Sequence, residues 1–282
     1  MTLSAALVSD SGVSTSAPAE VPWLQFRLGL LRWLGLLAGW PVPLAVLLLW
    51  WIGAEREWIA PQVLPPPQVV GATLVDMLRS GEVWPNLRIS LARVFAGFGL
   101  GLAAGLPLGI AMGLWPRFKD YVYPLFKAFS QIPVLGWLPL LMLLVGIDEA
   151  LKVILIAKAA LVPVALNTLK GIEGVPARYV EVARVLQFTR WQLLRKVVVP
   201  AAFGQIWTGV RYGFTHAWLA LVVVELLASS EGIGFLIVYG RQLFQLDVVL
   251  AAVVVVGAVG FVLDKVLALV EGRLTRWRRS GF

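Results

Sequence analysis

Cysteine is absent from the 282 residues, histidine occurs once, at position 216, and charged residues make up only 14% of the chain. Without cysteine there can be no disulfide, thiolate metal site or cysteine nucleophile. A single histidine argues against a histidine metal cluster. No Gly-Lys dipeptide occurs, so there is no P-loop and the chain cannot hydrolyse ATP alone. No cluster of His, Cys or acidic residues is present to run a membrane-embedded reaction. The sequence therefore points to no catalytic residue, no metal and no cofactor bound by the chain itself.

What is abundant is apolar surface. Hydrophobic residues reach 59% and mean hydropathy is +0.84, far above an ordinary soluble domain. One span needs about 20 mostly apolar residues, so the length allows an all-α integral membrane protein of about six transmembrane helices and leaves no room for a separate soluble domain. The formal charge of +8 needs no nucleic acid to explain it, because membrane proteins collect basic residues on their cytoplasmic side.

Residues 1–27, rich in Ser, Ala and Val, read as a disordered cytoplasmic tail without a signal peptide's basic start. The membrane-spanning body is expected to cover 28–272, and 273–282 reads as a basic cytoplasmic tail. Spans are expected at about 33–52, 90–114, 121–147, 151–169, 206–227 and 248–270, with a short amphipathic surface helix at 69–79. In the second span Gly97, Gly101, Gly105, Gly109 and Gly113 recur every fourth residue, a smooth stripe that lets two helix backbones approach. Packing within the chain explains it more simply than a dimer face.

The third span is interrupted by Pro124, Pro133 and Pro139. Irregular backbone at membrane depth survives only beside protein or a wet cavity, which makes Gln131, Pro133 and Trp137 candidates for a translocation path. The fifth span contains Arg211, His216 and Glu225. Ionisable groups in a span are functional candidates; Arg211 and Glu225 either serve the path or snorkel to the interface, and His216 is either a packing residue or a substrate ligand. The semi-polar segment 229–246 is too short to span.

With six spans both termini share a side with the 115–120 turn and the 173–200 loop. That side carries fourteen of the 24 basic residues: Arg27, Arg32, Arg117, Lys119, Lys170, Arg178, Arg184, Arg190, Arg195, Lys196, Arg273, Arg276, Arg278 and Arg279. The other side carries four, Arg56, Arg79, Lys152 and Arg241. The asymmetry predicts that the loop and both termini are cytoplasmic.

Within the loop, RYVEVARVLQFTRWQLLRKVVVP at 178–200, Pro176 suits a first helical turn. Tyr179, Val182, Ala183 and Leu186 then share one helical face. Thr189 and Gln192 fit a capping box, so a second helix should begin near Arg190 and finish before Pro200. A DNA-reading helix-turn-helix has the same outline, but a basic hairpin between membrane spans is the wrong setting for one.

Glu181, Ala183 and Pro200, at this spacing, resemble the EAA motif of permease subunits of bacterial ABC importers, with Val182, Val197 and Val199 as conservative replacements. Gln187 stands where that motif has glycine. The bend there uses either another conformation or a non-glycine residue in the left-handed region, at about 1 kcal/mol or more. The segments QIPVLGWLPLLMLLVGIDEALK, AWLALVVVELLASSEGIGF and QLDVVLAAVVVVG are similar to permeases for aliphatic sulfonates, taurine and nitrate, and the likeness covers 33–279.

The resemblance implies a type I importer permease in the bacterial cytoplasmic membrane, multi-pass and surrounded by lipid. It implies a coupling helix, with Tyr179, Glu181, Ala183, Arg184, Leu186, Gln187 and Pro200 as the ATPase-coupling set. The implied partners are a second copy of the permease, two cytoplasmic ATPase subunits that use ATP and Mg, and a periplasmic or lipid-anchored substrate-binding protein. Glu181 either meets a basic residue of that ATPase or pairs locally with Arg178 or Arg184. The rival reading is a stand-alone secondary transporter or channel, whose internal repeats the sequence does not display.

Overall fold

The computed structural model describes residues 41–58, 60 and 63–274. The expected tail at 1–27, the start of the first span and the arginines beyond Leu274 lie outside those residues. Two units are distinguished, one ending at Trp58 and one beginning at Ile59. The first holds α1, Pro41–Glu55, an apolar helix beginning at one of the two prolines of that span.

The second unit begins with α2, Pro67–Arg79, the expected amphipathic helix, with Pro67 in its first turn after the 64–67 break. It continues with α3, Val83–Leu114, α4, Pro116–Gln131, a tight single turn Val134–Trp137, α5, Leu138–Val145, and α6, Glu149–Glu173. The 173–200 loop forms α7, Ala177–Val185, and α8, Arg190–Leu193. Then come α9, Val199–Ala228, α10, Ile233–Gln242, and α11, Leu246–Leu274.

Among the described residues, Val83–Leu114, the stretch Arg190–Gln242 and Leu246–Leu274 are long and apolar enough to cross a membrane. The pair Pro116–Gln131 and Val134–Val145, bent by 94°, makes a fourth if it acts as one span. α6 has 25 residues, about 37 Å at 1.5 Å per residue, against a hydrocarbon core of about 30 Å. The expected spans at 90–114, 151–169, 206–227 and 248–270 thus each fall within one helix, the third is broken into α4 and α5, and the described part of the first lies in the shorter apolar helix α1.

α6 is the axis of this unit because glycine brings its neighbours to backbone contact. A Cβ on Gly101 would lie 2.5 Å from the Ala157 carbonyl oxygen, and one on Gly109 2.5 Å from that of Ala165. Gly97, Gly105 and Gly113 would similarly strike Ile156, Leu161 and Ile172. The stripe seats α3 along α6 inside one chain. On the other flank, Gly213 and Gly209 of α9 meet Val164 and Asn167 of α6, and Phe98 of α3 touches Phe214 of α9 edge-on at 5.1 Å.

Two expectations are corrected. The second loop helix does not finish before Pro200: α8 passes through a π turn, Leu194–Val198, directly into α9. Pro200 follows directly on the π turn, as the second residue of α9. The 229–246 segment is not merely a loop either, since its α10 buries Ile233, Gly234, Leu236 and Gly240.

Because backbone blocks the space beside Gly101 and Gly109, Gly101→Ala or Gly109→Ala should cost about 1–3 kcal/mol and lower the thermal unfolding temperature of the detergent-solubilised protein. Gly99→Ala, where a Cβ meets nothing within 4 Å, should leave it unchanged.

Candidate functional site

Three places in the second unit concentrate polar chemistry: the elbow between α7 and α9, a cavity beside α6, and a buried ion cluster at the opposite end of α9.

The elbow is built by two standard terminations. α7 closes as a Schellman motif, in which the Phe188 N–H donates to the Ala183 carbonyl at 3.0 Å and the Gln187 N–H to that of Arg184 at 2.9 Å. The residue between these bonds must be left-handed, and Gln187 is, with φ +53°. The second of the two expected alternatives at Gln187 is therefore the one adopted. The chain restarts at once with the capping box: Gln192 N–H donates to Thr189 Oγ1 at 3.2 Å and Thr189 N–H to Gln192 Oε1 at 2.9 Å.

Of the apolar residues expected on one face of α7, only Ala183 is buried, at 3% exposure. Tyr179, Val182 and Leu186 face outward, with Val185 and Trp191 nearby. Arg184 is exposed too. Glu181 is exposed and, among the described residues, forms no ion pair with Arg178 or Arg184. The elbow is held to the membrane unit from behind: Val198 and Ala202 pack with Ile172 at the end of α6, against Leu193 and Leu194.

The cavity, about 630 Å³, lies where α4 breaks beside α6 and α9. Pro133 forces that break: it cannot continue the helical hydrogen bonding and it pushes Ile132 to an extended ψ of 116°. Pro133 and His216 line the cavity, along with Ser130, Asn167, Tyr212, Lys158 and Lys170. Among the described residues, no carboxylate is in the lining. His216 Nδ1–H donates to the Tyr212 carbonyl at 2.8 Å, one turn back, so a neutral His216 presents a lone pair at Nε2.

The other path candidates lie elsewhere. Trp137 packs against Phe129 with the rings tilted by 52° and their centroids 5.0 Å apart, beside Lys158, but is not in the cavity lining. Gln131 is exposed at the end of α4 and is not in the lining. Arg211 faces α11, making a two-bond fork to Asp264 at 3.0 and 3.1 Å and a further bond to Glu271 at 3.1 Å. Sequence reasoning missed both carboxylate partners because they are 53 and 60 residues away.

Glu225 is 1% exposed, so it does not snorkel. Its carboxylate accepts from Ser90 Oγ at 2.8 Å, Arg93 Nη1 at 2.9 Å and the Gly234 N–H at 2.9 Å. Arg93 also grips Glu149 by a bidentate pair at 2.6 and 2.8 Å and donates to the Glu231 carbonyl. Lys152 adds its own bond to Glu149 at 2.6 Å. Gly232 adopts φ +109°, and a Cβ there would lie 2.3 Å from the Glu225 carboxylate. The cluster ties α3, α6, α9 and α10 together. Its one sequence signal was Glu225 lying in a span; Arg93, at the edge of another, gave no sign of being its partner.

Comparison with known proteins identifies the setting of these features. Residues 105–276 match the family described as binding-protein-dependent transport system inner membrane component. The chain is 38% identical over 246 residues to the putative aliphatic sulfonates transport permease protein SsuC of Bacillus subtilis (strain 168), covering 87% of this chain and 89% of that one. It is 35% identical to the taurine transport system permease protein TauC of Escherichia coli (strain K12), covering 83% and 87%. Among solved structures, an amino acid ABC transporter crystallised with histidines shares the fold, with TM-score 0.59 at 17% identity, over 72% of this chain and 97% of that one.

Removing Arg93 alone leaves a buried carboxylate without its counter-charge, at a cost of about 3–5 kcal/mol. Arg93→Met should therefore sharply reduce recovery of folded protein from the membrane. Arg93→Lys should rescue it only in part, since one ammonium cannot reproduce the guanidinium fork; size-exclusion yield of the solubilised protein reads both.

Proposed function

Because the chain belongs to the family of binding-protein-dependent transport system inner membrane components, we propose that it is the permease subunit of an ATP-driven importer carrying a small anion of the sulfonate type into the cytoplasm. The observation that carries the anion assignment is the cavity beside α6, which has Lys158 and Lys170 in its wall and, among the described residues, no carboxylate. The names of the relatives, for aliphatic sulfonates and for taurine, support the same class.

In this reading two copies of the chain flank the path, a binding protein delivers the anion from outside, and two ATPase subunits dock inside at the elbow. The elbow suits that task. It presents Tyr179, Val182, Val185 and Leu186 as an apolar surface with Glu181 unpaired among them, while Ala183 is small enough to seat against the membrane unit. A displacement of α7 is passed to α8 through the capped bend at 187–189, and from α8 through the π turn into α9. α9 carries Tyr212 and His216 in the cavity wall. ATP-driven closure of the partner subunits can thus tilt one wall of the cavity without any flexible linker, and alternate its opening between the two sides. In this reading the elbow faces the cytoplasm, which the excess of basic residues in that loop supports.

The test is a charge reversal at the elbow. Glu181→Lys should cut uptake by the complete transporter at least tenfold and abolish the stimulation of ATP hydrolysis by loaded binding protein, while the permease remains in the membrane at normal amount. Undiminished uptake and stimulation in that variant would refute the docking role. Gln187 has its own expectation: Gln187→Gly relieves the left-handed strain and should be neutral or stabilising by about 1 kcal/mol, whereas a β-branched Gln187→Val should lower the unfolding temperature and uptake together.

A further inference from the structure

Lys158 sits midway along α6, nine residues from its start at Glu149, and its half-buried side chain lines the cavity. A cation at such depth is expensive unless another charge or a wet path accounts for it. The neighbouring interior cations are accounted for by carboxylates: Arg93 by Glu225 and Glu149, Lys152 by Glu149, Arg211 by Asp264 and Glu271. Lys158 has none within ion-pair reach among the described residues.

Its surroundings hold the ammonium without neutralising it. One N–H donates to the Ile132 carbonyl, an acceptor made available because Pro133 ends the helix there. The rings of Phe129 and Trp137 stand 5.2 and 5.8 Å from Nζ, close enough for cation–π attraction. A lysine has three N–H donors, and the other two have no partner among the described residues. The lining also holds apolar Val134, Leu135, Val162 and Leu219 and polar Ser130, Asn167, Tyr212 and His216, and among the described residues none of the polar side chains is bonded to the ammonium, which leaves those donors to water or a solute.

His216 does not do the same job. Its Nδ1–H is committed to the Tyr212 carbonyl, so in the neutral form it faces an anion with a lone pair rather than a proton. On α6, by contrast, Lys170 also lines the cavity, about 18 Å further along the helix from Lys158.

We propose that Lys158 is the cation that receives the transported solute within the membrane, its two free N–H groups binding the oxygens of a sulfonate or other small oxyanion, and that it sets the preference of the permease for solutes that carry an oxyanion group over those that carry none. This rests on the reading of the chain as an anion importer. The ammonium has to remain charged and unpaired for the role, and that requirement gives the test.

The complete transporter, with its ATPase and binding protein, is reconstituted in liposomes, and initial uptake of radiolabelled ethanesulfonate, taurine and bicarbonate is measured. If the wild-type complex takes up none of them, the functional reading itself fails. If it does take one up, Lys158→Gln should lower its uptake at least tenfold, and Lys158→Arg should recover it to within about threefold of wild type. Uptake within twofold of wild type in Lys158→Gln would overturn the proposal. So would an equal defect in assembled Lys158→Gln and Lys158→Arg complexes, since that marks packing rather than charge.

A second pair of variants leaves Lys158 in place. Val162→Glu puts a carboxylate one turn away, where it can pair with the ammonium, and should lower uptake at least tenfold. Val162→Gln, of the same shape without the charge, should lower it less than threefold. Equal effects of the two would also overturn the proposal.

Discussion

A charge carried into an apolar bundle must be answered by an opposite charge, by hydrogen bonds or by water, and the arrangement of this permease follows from how that requirement is met. Glu225 is answered by Arg93, Ser90 and the backbone of α10. The answer is costly in desolvation and is no evidence of great stability. What it supplies is position. Three helices, α3, α9 and α10, have to meet at one point for the carboxylate to be satisfied. Arg93 carries the tie on to α6 through Glu149, and Gly232, left-handed above the carboxylate, lets the chain close over that point.

With one end of α9 fixed by this cluster, the other end is free to act. It continues without interruption from α8 and the π turn, and its first residues pack against the end of α6. The cavity lies between these two ends. A helix held at one end and pushed at the other changes the shape of the wall it forms in the middle, which is what a permease driven from the cytoplasm requires. The broken α4–α5 segment forms another part of that wall. There a proline frees a carbonyl in the interior, and the lysine opposite takes it.

Much of this was legible in the sequence, for reasons that differ from feature to feature. The spans could be read because twenty-odd apolar residues have few other uses. The glycine stripe could be read because its period matches a helix face, and its target within the chain follows from the close approach it permits. The elbow was legible in detail, since Thr189 and Gln192 lie three residues apart and their bonds are local; even the odd glutamine at 187 was flagged in advance. Pairings across long separations were not legible. Arg211 and Glu225 drew attention as ionisable residues in a span, but Asp264, Glu271, Arg93 and Ser90 lie 53 to 135 residues from them, and nothing in one sequence says which charges will meet. Lys158 was passed over for the complementary reason: its importance comes from having no carboxylate nearby, a property of the fold alone.

The central claim is that an anion passes through the cavity between α6 and α9. The absence of cysteine allows it to be tested directly. A single Leu166→Cys in the cavity wall, in an otherwise unchanged complete transporter, is treated with a negatively charged methanethiosulfonate reagent, and the rate of modification is followed with and without the transported anion and ATP. The expected result is reaction that the anion slows and that changes with the nucleotide state, against no such sensitivity for Val262→Cys on the exposed face of α11. A Leu166→Cys rate indifferent to both anion and ATP would contradict the claim.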